Sequence, residues 1–88
     1  MTYLLLMVAL LAQGEVGHET MTGSLDGDHL TVRMDTSGIA CRGYLAEGHG
    51  RLVCSDGRTG AFLYQRQDDG TGTGYGRLGS EDLILTFG

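Results

Sequence analysis

No lysine, asparagine, proline or tryptophan occurs in the 88 residues, and cysteine occurs only twice. Positive charge is scarce too: six arginines stand against eleven carboxylates, for a net charge of -5. That balance argues against a general nucleic-acid binder, which works by neutralising phosphates. It also disfavours attraction to an anionic membrane surface. A long apolar stretch is missing as well. The run Tyr3 to Ala12, YLLLMVALLA, falls well short of the ~20 residues a spanning helix needs. Beyond Gly17 no helical period is present.

The apolar run is uncharged and is followed by Ala12-Gln13-Gly14, with small residues where a signal peptidase reads. This matches a secretory signal cleaved before Glu15, which would divide the chain into an apolar segment 1–14 and a single domain 15–88. The Lys or Arg that ordinarily precedes such a run is missing. An uncleaved anchor and a structural first strand or helix are the alternatives. No cysteine follows the run directly, which argues against lipid attachment. The expected location is therefore periplasmic or secreted, with no transmembrane span in the mature form and conditions that permit a disulfide.

Eighty-eight residues make one domain with a thin core, and chains of this size need an additional constraint. After Gly17, two-residue alternation is interrupted by Asp-Gly, Glu-Gly and Gly-Ser, the pattern of an antiparallel meander. With Asp26-Gly27 as a turn, Met21 faces Val32, Gly23 faces Leu30 and Glu19 faces Met34, while Thr20, Thr22 and Ser24 face Arg33, Thr31 and His29. With Glu47-Gly48 as a turn, Gly43 meets Leu52, and Cys41 lies directly across from Cys54 at a non-hydrogen-bonded pair. Those two cysteines are expected to form a cross-strand disulfide. A turn at Gly79-Ser80 sets Gly76, Gly74 and Gly72 against Leu83, Leu85 and Phe87. Gly23-Ser24-Leu25, Gly43-Tyr44-Leu45 and Gly76-Arg77-Leu78 thus form a repeat, a Gly-x-Leu before each turn with a Leu returning opposite the glycine. Bare glycine opposite a large apolar residue suits a sharply bent sheet. Ala61 to Gln65 reads as a further strand whose register no turn fixes. The expected fold is all-β, a small antiparallel meander of about seven strands forming a curled sheet or small barrel.

Cys41-Arg42-Gly43 and Cys54-Ser55-Asp56-Gly57-Arg58-Thr59-Gly60, together with the terminal Leu85-Thr86-Phe87-Gly88, resemble a group of small glycine-rich bacterial exported proteins and lipoproteins. The similarity covers roughly residues 20 to 88. It implies export and a β fold, and no activity or binding residue carries over with it. The lipid-attachment cysteine many of that group possess is missing here.

Motifs for chemistry are weak. Gly70-Thr71-Gly72-Thr73-Gly74-Tyr75-Gly76 looks like a phosphate loop but runs into a turn and a strand instead of a helix. Asp26-Gly27-Asp28-His29 and Asp68-Asp69-Gly70 lack the spaced oxygens and closing Glu of a calcium loop, and His18, His29 and His49 share no ligand spacing. Ser24, Ser37, Ser55 and Ser80 sit at or near turns with no nucleophile elbow. Neither a catalytic residue, a metal nor a cofactor is expected. Alternation places Arg42, Tyr44, Arg51, Tyr75 and Arg77 opposite the core face, and aromatic and arginine side chains on a rigid sheet are favoured contact residues. The expected function is a non-enzymatic structural or interaction module of the envelope, with a protein or glycan partner. A small-molecule carrier and an inhibitor of a cell-wall enzyme are the alternatives.

Overall fold

Two-residue alternation runs through eight segments of the computed structural model, which describes residues 9–88. The strands are β1 (Leu10–Val16), β2 (Glu19–Asp26), β3 (His29–Met34), β4 (Ala40–Ala46), β5 (His49–Cys54), β6 (Thr59–Arg66), β7 (Gly72–Leu78) and β8 (Glu81–Phe87). Each pairs antiparallel with its chain neighbours, and β8 pairs with β1, so the sheet closes into an up-and-down barrel. Closure removes the free edges that a curled open sheet would expose.

The count is eight strands, one more than the turn spacing predicts, and the extra strand is β1. Within its apolar composition β1 alternates in burial: Ala12 and Val16 are buried, whereas Leu11 is 50% exposed. The position of the expected division, after residue 14, falls inside this strand, the first among the described residues. The earlier part of the apolar run, Tyr3 to Val8, lies outside the described residues.

Registers of the β4–β5 and β7–β8 hairpins match the expected pairings, including Cys41 with Cys54, Gly43 with Leu52 and Gly76 with Leu83. The disulfide is present, its Cα atoms 3.9 Å apart and both residues buried. The β2–β3 hairpin differs. Its loop is Gly27-Asp28, so Met21 faces Met34, Gly23 faces Val32 and Leu25 faces Leu30. The two-residue shift leaves every side chain on its expected face. It is favoured because Leu25 now lies across from Leu30 in the core instead of across from Asp28, and because the one left-handed position falls on Gly27, at φ 63°.

Eight strands make an interior about wide enough for side chains to fill. Sixteen buried residues, from Ala12 to Phe87, form one continuous cluster there. Large residues and glycines alternate around the inner wall. One row reads Leu30, Gly43, Leu52, Gly60, Leu78, and the next Leu45, Gly50, Phe62, Gly76, Leu83. A Cβ on Gly43 would overlap the Arg51 carbonyl oxygen, and one on Gly76 the Ala61 carbonyl oxygen, so these glycines let neighbouring backbones approach while a Leu or Phe covers them.

Candidate interaction surface

Filling the barrel with Gly, Leu and Phe sends every other residue outward. On β4 these are Arg42 and Tyr44, on β5 Arg51 and Val53, on β6 Ala61 and Leu63, and on β7 Tyr75 and Arg77. All are exposed. The pairing arranges them in rows that cross the strands. Tyr44 faces Arg51, Arg51 faces Ala61, Ala61 faces Arg77, and Arg77 faces Asp82. Two residues along the strands, His49 faces Leu63, Leu63 faces Tyr75, and Tyr75 faces Ile84. Leu63, Tyr75 and Ile84 are 59%, 67% and 54% exposed, an uninterrupted apolar line.

The sequence-predicted residues therefore belong to one connected band, with a qualification set by curvature. Arg42 and Tyr44 on β4 are three strands from Tyr75 and Arg77 on β7, so the five residues wrap a convex wall and do not share a flat face. Ala61 and Leu63 are the links missed by sequence reasoning. Carrying neither charge nor an aromatic ring, they gave no signal as contact residues, but the parity of Gly60, Phe62 and Tyr64 on the inner face already assigns them to the outer one.

Charge is segregated around the barrel. None of the eleven carboxylates lies in β3, β4, β5, β6 or β7, which together hold Arg33, Arg42, Arg51, Arg66 and Arg77. The carboxylates occupy β1, β2, β8 and the turns. Among the described residues Arg42 and Arg51 form no ion pair, and the guanidinium of Arg77 reaches Asp82 at 3.6 Å with both side chains largely in solvent. The outer wall of β3 to β7 thus carries Arg33, Arg42, Arg51 and Arg77 with no strand carboxylate among them, while Arg66 shares the inner parity of Phe62 and Tyr64.

Of the other three arginines, Arg33 donates to the Gly38 carbonyl oxygen at 3.0 Å, and Arg58 and Arg66 are occupied in holding the barrel ends. Arg58 donates to Asp56 at 2.8 Å and to Glu81 at 3.3 Å, and its remaining NH2 group rests on Met34 Sδ. Arg66 donates to the Gly70 carbonyl oxygen at 3.1 Å and lies 3.6 Å from Asp28. The Cys-Ser-Asp-Gly-Arg segment is fully explained as a turn. Gly57 N–H donates to the Cys54 carbonyl oxygen, Ala40 N–H donates to Ser55 Oγ, and Gly57 takes φ 95°. The backbone N–H of Arg58, joined by its side-chain hydrogen bond and its charge, holds the Asp56 carboxyl below its ordinary value, outweighing the opposing effect of desolvation. Asp69 is lowered in the same direction, first by the hydroxyl and then by the backbone N–H of Thr71.

Gly72, Gly74 and Gly76 of the phosphate-loop-like string line the inner wall of β7. His18 and Ser80 lie in turns; His49 Nδ1–H donates to the Ala46 carbonyl oxygen at 3.0 Å. No polar or charged residue is buried among the described residues, and no three His, Cys, Asp or Glu side chains there converge as metal ligands. No helix among them is long and apolar enough to cross a membrane. Comparison with protein-family models, with curated proteins and with solved structures gives no match.

Proposed function

We propose that this protein is a non-enzymatic interaction module of the bacterial envelope, exported and oxidised, that binds a macromolecular partner through the outer wall of β4 to β7. The observation that carries this reading is the row Tyr44, Arg51, Ala61, Arg77, in which two arginines and an aromatic stand exposed on a closed, disulfide-stapled barrel. A rigid support spares the cost of ordering backbone on binding, and arginine and tyrosine are enriched among residues that dominate interfaces. Export is supported by the buried disulfide, which persists in oxidising compartments, and by the resemblance of the Cys41 to Gly60 segment to exported bacterial proteins.

A carrier would need room inside, but Met21, Leu30, Val32, Leu52, Leu83 and Phe87 all converge on the barrel axis and are buried. The titratable side chains of the described residues are exposed or half-buried, whereas catalytic groups are commonly tuned by burial. The test is crosslinked capture from the native envelope with parent protein and with the Tyr44→Ala and Arg77→Ala variants. Both variants should fold normally and lose the partner. Retention of every partner by both would make this wall ordinary surface.

A further inference from the structure

Two neighbouring rows on the outer wall differ in character. The first, Tyr44, Arg51, Ala61, Arg77, is cationic; the second, His49, Leu63, Tyr75, Ile84, is mainly apolar. They are two residues apart along each strand, about 7 Å, and Arg51 and Arg77 are two strands apart, about 10 Å. The whole wall is free of carboxylate from β3 through β7 in a chain that carries eleven of them. From β3 through β7 a negatively charged partner meets no strand carboxylate; at the β8 margin it competes with Asp82 for Arg77 and passes Glu15, which stands across from Ile84, and the acidic turns at both barrel ends would repel it.

Resting on the interaction reading above, we infer that the partner is an acidic polypeptide segment whose carboxylates alternate with apolar side chains, the carboxylates seated on Arg51 and Arg77 and the apolar groups on Leu63, Tyr75 and Ile84. Arginine pairs its planar fork with a carboxylate. The line Leu63, Tyr75, Ile84 is what singles out a polypeptide, because a uronate polysaccharide offers carboxylates without a parallel row of aliphatic side chains. Its exposure beside the arginines gives both halves of such a segment a place to bind.

Fluorescence anisotropy with the full chain tests this, using a labelled ten-residue peptide of alternating Glu and Leu, its Lys-Leu counterpart, oligoglutamate and polygalacturonate. The Glu-Leu peptide should bind with an affinity that falls as salt rises, and the Lys-Leu peptide should not bind. Arg51→Gln with Arg77→Gln should weaken binding roughly tenfold, two exposed ion pairs being lost. Leu63→Ser should weaken the Glu-Leu peptide and leave oligoglutamate unchanged. Circular dichroism establishes that each variant is folded, and Arg33→Gln, on the same wall but distant from both rows, serves as a variant that should bind normally. Equal binding of the Lys-Leu peptide, undiminished binding by the double arginine variant, or tighter arginine-dependent binding of polygalacturonate would each overturn the inference. Self-association seen by light scattering, lost in the arginine variant, would overturn it in favour of a second copy. Partner capture that depends on Tyr44 and Arg77 while the Glu-Leu peptide fails to bind would leave the interaction reading standing and remove only its acidic chemistry.

Discussion

The disulfide pair and the wall glycines act on stability through different states of the chain. Joining Cys41 to Cys54, thirteen positions apart, restricts the unfolded ensemble, and in the chain-entropy model a loop of this size contributes ~3 kcal/mol. Against the 5–15 kcal/mol typical of a domain that is a large share. Cys41→Ala should therefore lower stability by about 2–4 kcal/mol. An unchanged melting temperature would show that the bridge is not a staple. Unreduced protein should also weigh two hydrogens less than the reduced form and yield a peptide joining the two cysteines. Gly43 and Gly76 act in the folded state, where a side chain would collide with the neighbouring strand's carbonyl oxygen. Gly43→Val and Gly76→Val should each unfold or aggregate the protein, whereas Gly48→Ala, in an open turn at φ 90°, should cost only about 1 kcal/mol of backbone strain. Chemical denaturation of the three variants makes the comparison, and a Val variant as stable as the parent would contradict the observed close approach.

At the level of elements, the β5–β6 and β6–β7 turns are closed by Asp56 and Asp69 accepting N–H groups two residues on. Both carboxyls are held below their ordinary value, so the folded state binds their protons less readily than the unfolded chain. The stability this contributes is present in full above the ordinary carboxylate pKa of 3.8 and is lost as pH falls through the lower folded-state values. Asp56→Asn combined with Asp69→Asn should flatten the acid limb of a melting temperature against pH curve and leave its neutral region with the same slope. An acid limb as steep as the parent's would place the acid sensitivity elsewhere. The outer rows belong to the same scale. Cross-strand pairs there contribute roughly 0.2–1 kcal/mol each, so Tyr44→Ala and Arg77→Ala should shift denaturation midpoints only slightly, and a large loss of stability would assign those residues a structural task.

For the whole molecule, closure by β1 is decisive, because β2 and β8 each use it as their second partner. A chain beginning at Glu15 lacks most of β1 and would leave both strands with unpaired edges over the positions facing Leu10 to Gly14. Such a chain should lose cooperative unfolding and aggregate, since exposed edges pair with other chains. Hydrogen exchange would show the β2 and β8 amides that face β1 unprotected. Should the 15–88 form melt as cooperatively as the full chain, β1 would be dispensable to the barrel. Intact mass of envelope material then states whether the barrel operates with β1, since cleavage before Glu15 removes Leu10 to Gly14.

What is local and repeats with a period of two was legible in the residues alone: the strands from β2 onward, their faces, the Glu47-Gly48 and Gly79-Ser80 turns, and a disulfide that follows from counting outward from one of them. A tight turn with one favoured dipeptide leaves one register. Asp26-Gly27-Asp28 offers two adjacent turns, and only burial of Leu25 against Leu30 chooses between them. The tertiary structure decided the rest. That Leu10 to Val16 closes the barrel as a strand depends on β8 arriving to pair with it from the other end of the chain, a contact no local pattern encodes. The joining of Arg51 to Arg77 through Ala61, and of Leu63 to Tyr75 and Ile84, likewise required β6 to find its register on both neighbours. Long-range pairing, paid for in loop-closure entropy, converts scattered outward residues into one wall.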